Sequence, residues 1–201
     1  MAKQAPGKNK QGRQGHTGET ALSELLSDDL APLFHEAART DSASAWFGHV
    51  PFAHWVVRQV RPNIIVELGT HAGVSYSAFC SAVLREGLET RCFAVDTWKG
   101  DDHAGHYDDA VYDELARFNA ERYGWFSTLL RKTFDEALDD LDDNSVDILH
   151  IDGFHSYDAV RHDFETWAPK LSDRAVVLLH DTNEHREGFG VWQYWSELRK
   201  Q

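Results

Sequence analysis

The chain has 201 residues, 42% of them apolar and 12% aromatic, and a formal charge of −13. This supports one domain with a sizeable core and leaves too little length for two comfortable ones. The acidic balance argues against a nucleic-acid partner, whose phosphates call for a basic face. No window approaches 18 consecutive apolar residues and the first 20 lack the apolar core of a signal peptide, so no membrane partner and a cytoplasmic location are expected.

Residues 1–20 carry Lys3, Lys8, Lys10 and Arg13 against Glu19, with many Gly and Gln, and are expected to form a disordered basic tail. Residues 21–62 read as an N-terminal helical segment. Leu22, Leu25, Leu26 and Leu30 share one face before Pro32, and a second helix is expected over Pro51 to Val60, with Pro51 in its first turn and Pro62 beyond its end. From residue 63 to 201, short apolar runs alternate with helical stretches. Strands are expected at Ile64–Leu68, Arg91–Val95, Phe126–Arg131, Val146–Ile151 and Ala175–His180, and helices at Ser75–Glu86, Asp109–Arg122, Phe134–Leu141 and Ser156–Ala168. Strands this uniformly apolar have no wet face, so the fold class is α/β, a doubly wound, mostly parallel sheet covered by helices on both sides. Cys80 and Cys92, both in apolar contexts without C-x-x-C spacing, read as buried thiols.

Ligands of such sheets sit beyond the carboxyl ends of the strands. Glu67, Asp96, Asp152 and Asp181 all fall at those ends. The first strand leads into Gly69-Thr70-His71-Ala72-Gly73-Val74-Ser75, where glycines let the backbone approach a ligand and the amides of the following helix face an anion. A dinucleotide turn needs glycine at the position held by His71. The bulky side chain argues against a pyrophosphate and suits a nucleoside with a small carboxylate, such as S-adenosylmethionine. Asp96, ending the second strand, is placed to bind ribose hydroxyls.

The fourth strand exits into Asp152-Gly153-Phe154-His155 and the fifth into His180-Asp181-Thr182. Two carboxylates and two imidazoles at neighbouring tips suit a hard divalent cation, with Asp152 and Asp181 as oxygen ligands and His180 as a further ligand or supporting group. His155 is then placed as general base, because an alcohol is a poor nucleophile near neutral pH. Each residue also has an ordinary reading: His150 as a core histidine, Asp152-Gly153 as a turn, Asp181 as a helix cap. The loop Trp98 to Tyr107 reads as a lid, an acceptor wall or a solvated loop. Phe189, Trp192 and Trp195 read as core at helical spacing.

Together, the stretch from Glu67 to Ser75, Asp96, Asp152 to Tyr157 and His180-Asp181-Thr182 resemble the class I S-adenosylmethionine-dependent methyltransferases, in the branch with catechol and macrocin-type sugar O-methyltransferases. The resemblance runs from about Asn63 to Asp181. It implies that Glu67, Gly69, His71 and Gly73 line S-adenosylmethionine, that Ser75 binds its carboxylate and Asp96 its ribose, and that Thr133 and Phe134 flank the adenine with Phe154 nearby. It implies a metal, magnesium first, on Asp152 and Asp181, and His155 as catalytic base. Histidine rather than lysine there favours a sugar or other small-molecule hydroxyl as acceptor. Two departures stand out. Arg131-Lys132-Thr133 replaces the usual glycine or acidic residue near the third strand. The sequence also ends at Gln201 without the last two strands of the family sheet, so either it is a fragment or the fifth strand is an edge that needs a partner, such as a second copy. Two competing readings are a non-haem iron oxygenase using His150, Asp152 and His180, and a module that binds the cofactor without turning it over.

Overall fold

Five short runs rich in Val, Ile and Leu pair side by side, all parallel, in the computed structural model, which describes residues 28–40, 44–101 and 105–200. In chain order the elements are α1 (Val50–Val60), β1 (Ile64–Leu68), α2 (Val74–Arg85), β2 (Arg91–Asp96), a hairpin of β3 (Gly100–Asp101) and β4 (Gly105–His106), α3 (Asp109–Arg122), β5 (Ser127–Arg131), α4 (Phe134–Ala137), β6 (Val146–Ile151), α5 (Tyr157–Trp167), β7 (Leu171–Leu179) and α6 (Val191–Leu198). The sheet order is β5-β2-β1-β6-β7. Chain order reverses at β1, and the carboxyl tips of β1, β2 and β6 bound the crevice at this switch point.

Period-two alternation sends successive side chains of one strand to opposite faces. Ile65 and Ile148 pack with Ala53, Val57, Phe79 and Val83 of α1 and α2. Val66, Leu68, Leu149 and Ile151 pack with Val160, Trp167 and Tyr194 of α5 and α6. Every residue of β6 is buried, which requires both faces to be covered. Cys80 and Cys92 are free, buried thiols, as expected.

β7 pairs with β6 alone, and none of its nine residues is fully buried. The expected edge is present, and among the described residues the sheet has no antiparallel strand. β7 begins at Leu171, four residues before the expected start, because Ser172 and Arg174 break its apolar run for a structural reason. The buried Asp147 carboxylate of β6 accepts from Ser172 Oγ (2.7 Å), from Arg174 Nε (3.1 Å) and Nη2 (2.8 Å), and from the Asn63 amide (2.6 Å). Burial opposes the charge on Asp147, but the bonds from Arg174 and Ser172 outweigh it and hold its pKa below the usual range. Removing one partner of such a pair costs more than the pair contributes net.

The expected helix from Phe134 to Leu141 is shorter: α4 gives way to a 3-10 turn at Leu138–Asp140. Leu30 lies in a 3-10 helix, Asp28–Phe34, that contains Pro32, while Leu22, Leu25, Leu26 and the basic tail lie outside the described residues. No helix among the described residues is long and apolar enough to cross a membrane.

Asp163 on α5 is buried, with its Oδ2 3.4 Å from where a Cβ on Gly153 would lie. Burial lifts its pKa to about 7, with the His162 charge opposing and the Asp135 charge adding. An aspartate in the unfolded chain titrates near ~3.9, so the folded state binds this proton more tightly. The group's penalty is absent below about pH 4, grows as pH rises towards 7 and is complete above it. Asp163→Asn is expected to stabilise the fold at pH 8 by about 1–3 kcal/mol and to give no gain at pH 4. Thermal unfolding at the two pH values checks this, and equal gains at both would remove the assignment.

Candidate active site

β1 leaves the sheet through Gly69 (φ 88°), and a Cβ there would lie 2.1 Å from the backbone oxygen of Asp152. Only glycine allows the tips of β1 and β6 to come this close. Gly73 (φ 79°) opens α2, and a Cβ there would meet the Leu115 side chain at 2.4 Å. His71 between them is also left-handed, at φ 49°.

The turn is held from the neighbouring strand. Asp96 Oδ2 accepts from the amides of Thr70 and His71, both at 2.9 Å, and Oδ1 accepts from the Trp98 amide at 2.7 Å. A carboxylate has about four acceptor directions, so one remains for a ligand hydroxyl. Trp98, in the loop that the sequence leaves open between lid, acceptor wall and solvent, is buried and donates its indole N–H to His71 O (2.8 Å). Tyr107 stacks on the His71 ring, with centroids 4.4 Å apart.

A crevice of about 400 Å³ opens above this turn. Of the residues expected to touch a cofactor, Gly69, His71, Gly73, Ser75, Asp96, Thr133, Phe134, Asp152 and Phe154 line it, and His155 lines it too. Thr133 caps α4 in a capping box with Glu136 and so presents an extended backbone at the crevice wall. Glu67 does not line the crevice: it is fully buried, and its Oε2 lies 2.8 Å from His150 Nδ1. Burial pushes the Glu67 carboxyl up, against the bond from His150. Its place is beneath the floor, tying β1 to β6.

Sequence reasoning missed Thr70, Thr97 and, above all, Trp46, which also line the crevice. Trp46 comes from the 3-10 helix Ala45–His49, capped by Ser44, and stacks on His180 (5.9 Å) with its edge towards His150 (4.8 Å). No periodicity marks a lone tryptophan in so short a helix.

The second half-site forms where the loops after β6 and β7 meet. His155 Nε2 is 3.0 Å from Asp181 Oδ2 and 3.6 Å from Asp152 Oδ1. His180 Nδ1 is 3.3 Å from Asp152 Oδ1 and 3.3 Å from Asp181 Oδ1. Burial opposes charge on both imidazoles, but the hydrogen bonds and charges of the two aspartates outweigh it, raising His155 to about 9 and His180 to about 10. Both aspartates are held well below the usual carboxylate range for the reciprocal reason.

Among the described residues, the group whose donor atoms all lie within 4.8 Å of one another is Asp152, His155 and Asp181. His155 is thus a third potential ligand beside the two carboxylates, and the expected His180 also lies against both, at 3.3 Å from each. The competing oxygenase set of His150, Asp152 and His180 does not form such a group among the described residues.

Residues 66–182 match the model of a family described as a methyltransferase domain. The chain belongs to this methyltransferase-domain family. It is 58% identical over 158 residues to Uncharacterized protein y4gI of Sinorhizobium fredii, covering 79% of this chain and 17% of that protein, so it spans about a sixth of the relative's length. Solved structures that share the fold include two methyltransferases. One is the O-methyltransferase TomG of Streptomyces achromogenes, involved in tomaymycin synthesis and solved with SAM (TM-score 0.58, 19% identity, 92% of this chain and 85% of that one). The other is the SAH-bound methyltransferase PaMTH1 of Podospora anserina (TM-score 0.58, 12% identity, 96% and 91%). The methyltransferase domain accordingly has the Rossmann-like α/β sheet expected from its sequence.

The close tips of β1 and β6 set the tolerance of the turn. Gly69→Ala is expected to cost about 3 kcal/mol or more, since it adds a backbone clash to a left-handed φ. Gly87→Ala, also at positive φ (61°) but with nothing within 4 Å of the new Cβ, is expected to cost about 1 kcal/mol. Denaturant unfolding of the two variants tests the contrast, and equal costs would mean that the tips separate readily.

Proposed function

We propose that this domain transfers a methyl group from S-adenosylmethionine to a hydroxyl oxygen of a small molecule or sugar. The observation that carries this reading is a single crevice with two chemically different ends. In this reading the glycine turn, Asp96, Thr133 and Phe134 serve the cofactor end, and the neighbouring Asp152 and His155 serve the reacting end, where Asp181 lies 3.0 Å from His155. The first end offers amides for a carboxylate, an acceptor for ribose, and an aromatic wall at Phe134 for a purine. The solved relatives that hold SAM or SAH in the same fold add support.

In the proposed step the acceptor oxygen loses its proton to His155 and attacks the methyl carbon as the carbon–sulfur bond breaks. The products are a methyl ether and neutral S-adenosylhomocysteine. The protein holds oxygen, carbon and sulfur in line and excludes water. His155 can take a proton only when its own ring is uncharged, and its ion pairs with Asp152 and Asp181 favour the charged form.

The residues present fit a divalent cation, magnesium first. Two carboxylates converge on one point beside an imidazole, and the pair is already held in the ionised form that metal binding needs. Asp152 and Asp181 would hold the ion, with His180 supporting them. Its chemistry there would be to lower the pKa of the acceptor hydroxyl and to neutralise the carboxylates that now pair with His155.

Calorimetry with S-adenosylhomocysteine tests the first end. Binding is expected, weakened about tenfold or more by Asp96→Asn, which takes half the acceptor capacity from the site. His155→Gln is expected to leave that affinity unchanged and to lower methyl transfer by about 10²–10⁴. Failure of the wild-type chain to bind S-adenosylhomocysteine at millimolar concentration would end the methyl-transfer reading. Chelation is expected to suppress transfer and magnesium to restore it in the wild type, with no restoration in Asp181→Asn.

A further inference from the structure

Two histidines outside the active site meet where the N-terminal segment crosses α1. The 3-10 helix Asp28–Phe34 packs on α1, and His35, directly after it, sets its ring edge-on against that of His54, with centroids 4.4 Å apart. His54 is only 2% exposed. Farther along, Ala37 packs against the core, and the Arg39 guanidinium lies over the Phe118 ring of α3, 5.0 Å from its centre. The chain then leads to Trp46, which walls both the crevice and a second cavity, of about 510 Å³, lined by β7 and Trp195.

The contact between the two rings is built for neutral imidazoles. His35 Nδ1 and His54 Nε2 are both buried without a hydrogen-bond partner, so a proton added at either atom meets no acceptor. The charges that bear on the pair are mostly of the wrong sign. Arg85, at the end of α2, acts on both rings and Arg58 of α1 acts on His35, against Glu86, whose carboxylate lies 3.9 Å from Arg58. Burial first, and then these cations, lower His35; burial, the His35 ring and Arg85 lower His54 to about 4. Freed from its cover, His54 regains water and an ordinary value near ~6.5. The uncovered state thus binds the proton more tightly than the docked one. Docking has its full strength above about pH 6.5, weakens as pH falls through that value, and levels off below about pH 4.

We propose that residues 28–40 form an acid-released strap, clamped on α1 by the contact between neutral His35 and His54 and loosened when either ring takes a proton. Loosening slackens the connection to Trp46 and so links the wall shared by the two cavities to acidity. The strap rests on its own contacts and is independent of the methyl-transfer reading.

Hydrogen-exchange mass spectrometry of the full chain at pH 5 and pH 7.5, corrected for the intrinsic exchange rate at each, reads the opening of residues 28–40 against that of β1. In the wild type the opening constant of the strap is expected to rise about 30-fold from pH 7.5 to pH 5 through His54 alone, while β1 stays closed. His54→Gln keeps a polar side chain that takes no proton, and is expected to hold this rise under about threefold whatever its effect on the absolute level. An NMR titration of the His54 ring in the wild-type chain needs no variant, and its midpoint is expected below about pH 5.5. The strap is overturned if its opening changes less than about threefold between the two pH values, if His54→Gln responds like the wild type, if β1 opens in step with it, or if His54 titrates at about pH 5.5 or above.

Discussion

The approach of the β1 tip to the β6 tip, backbone against backbone at Gly69 and Asp152, is the constraint on which the site depends. It brings the amide-rich turn after β1 within one crevice of the carboxylate and imidazole after β6. Beneath the same two strands, Glu67 and His150 form a buried pair that bridges them and fixes their spacing. Above them, Asp96 reaches across from β2 and holds the turn in its left-handed shape through two of its amides. Each contact supports the others, because a turn free to relax would not keep His71 at a positive φ.

Electrostatics follow from the same geometry. Asp152 and Asp181 come from different strands, and the fold holds them close although like charges repel. Two imidazoles, His155 and His180, supply the compensating charge. The arrangement is poised rather than inert, since anything that neutralises the carboxylates loosens their hold on the imidazole that faces the crevice. Trp46 closes this region from the N-terminal side, where its indole covers His180 and walls both cavities. A segment that reads as a plain helical lead-in thereby contributes to the site.

Much of the site was legible because glycine and aspartate at strand ends carry local chemical meaning. A positive φ or a backbone approach calls for glycine wherever the fold is doubly wound, so Gly69 and Gly73 could be placed from their spacing to an apolar run. Asp96, Asp152 and Asp181 were legible for a similar reason, because each directly follows or ends such a run. Glu67 follows the same pattern and ended elsewhere: its side chain alternates to the face that His150 also uses, and the pair is buried together. Trp195 lies at helical spacing with Trp192, yet α6 buries Val191 and Tyr194 and leaves Trp195 to the second cavity. Which face of a helix meets the sheet depends on where the helix docks, and a short helix after an edge strand has little neighbouring pattern to settle it.

By itself the sequence determined the parallel α/β architecture, the number of sheet strands and the turn that faces a ligand, because hydrophobic period and glycine position are local properties. Tertiary structure alone decided that Glu67 lies under the floor, that His155 as well as His180 lies against the two aspartates, that Trp46 joins two cavities, and that His150 keeps an unpartnered nitrogen beside one of them. These outcomes depend on distances between residues tens of positions apart. Such distances are set by how sheet and helices pack, and no pattern along a single strand or helix encodes them.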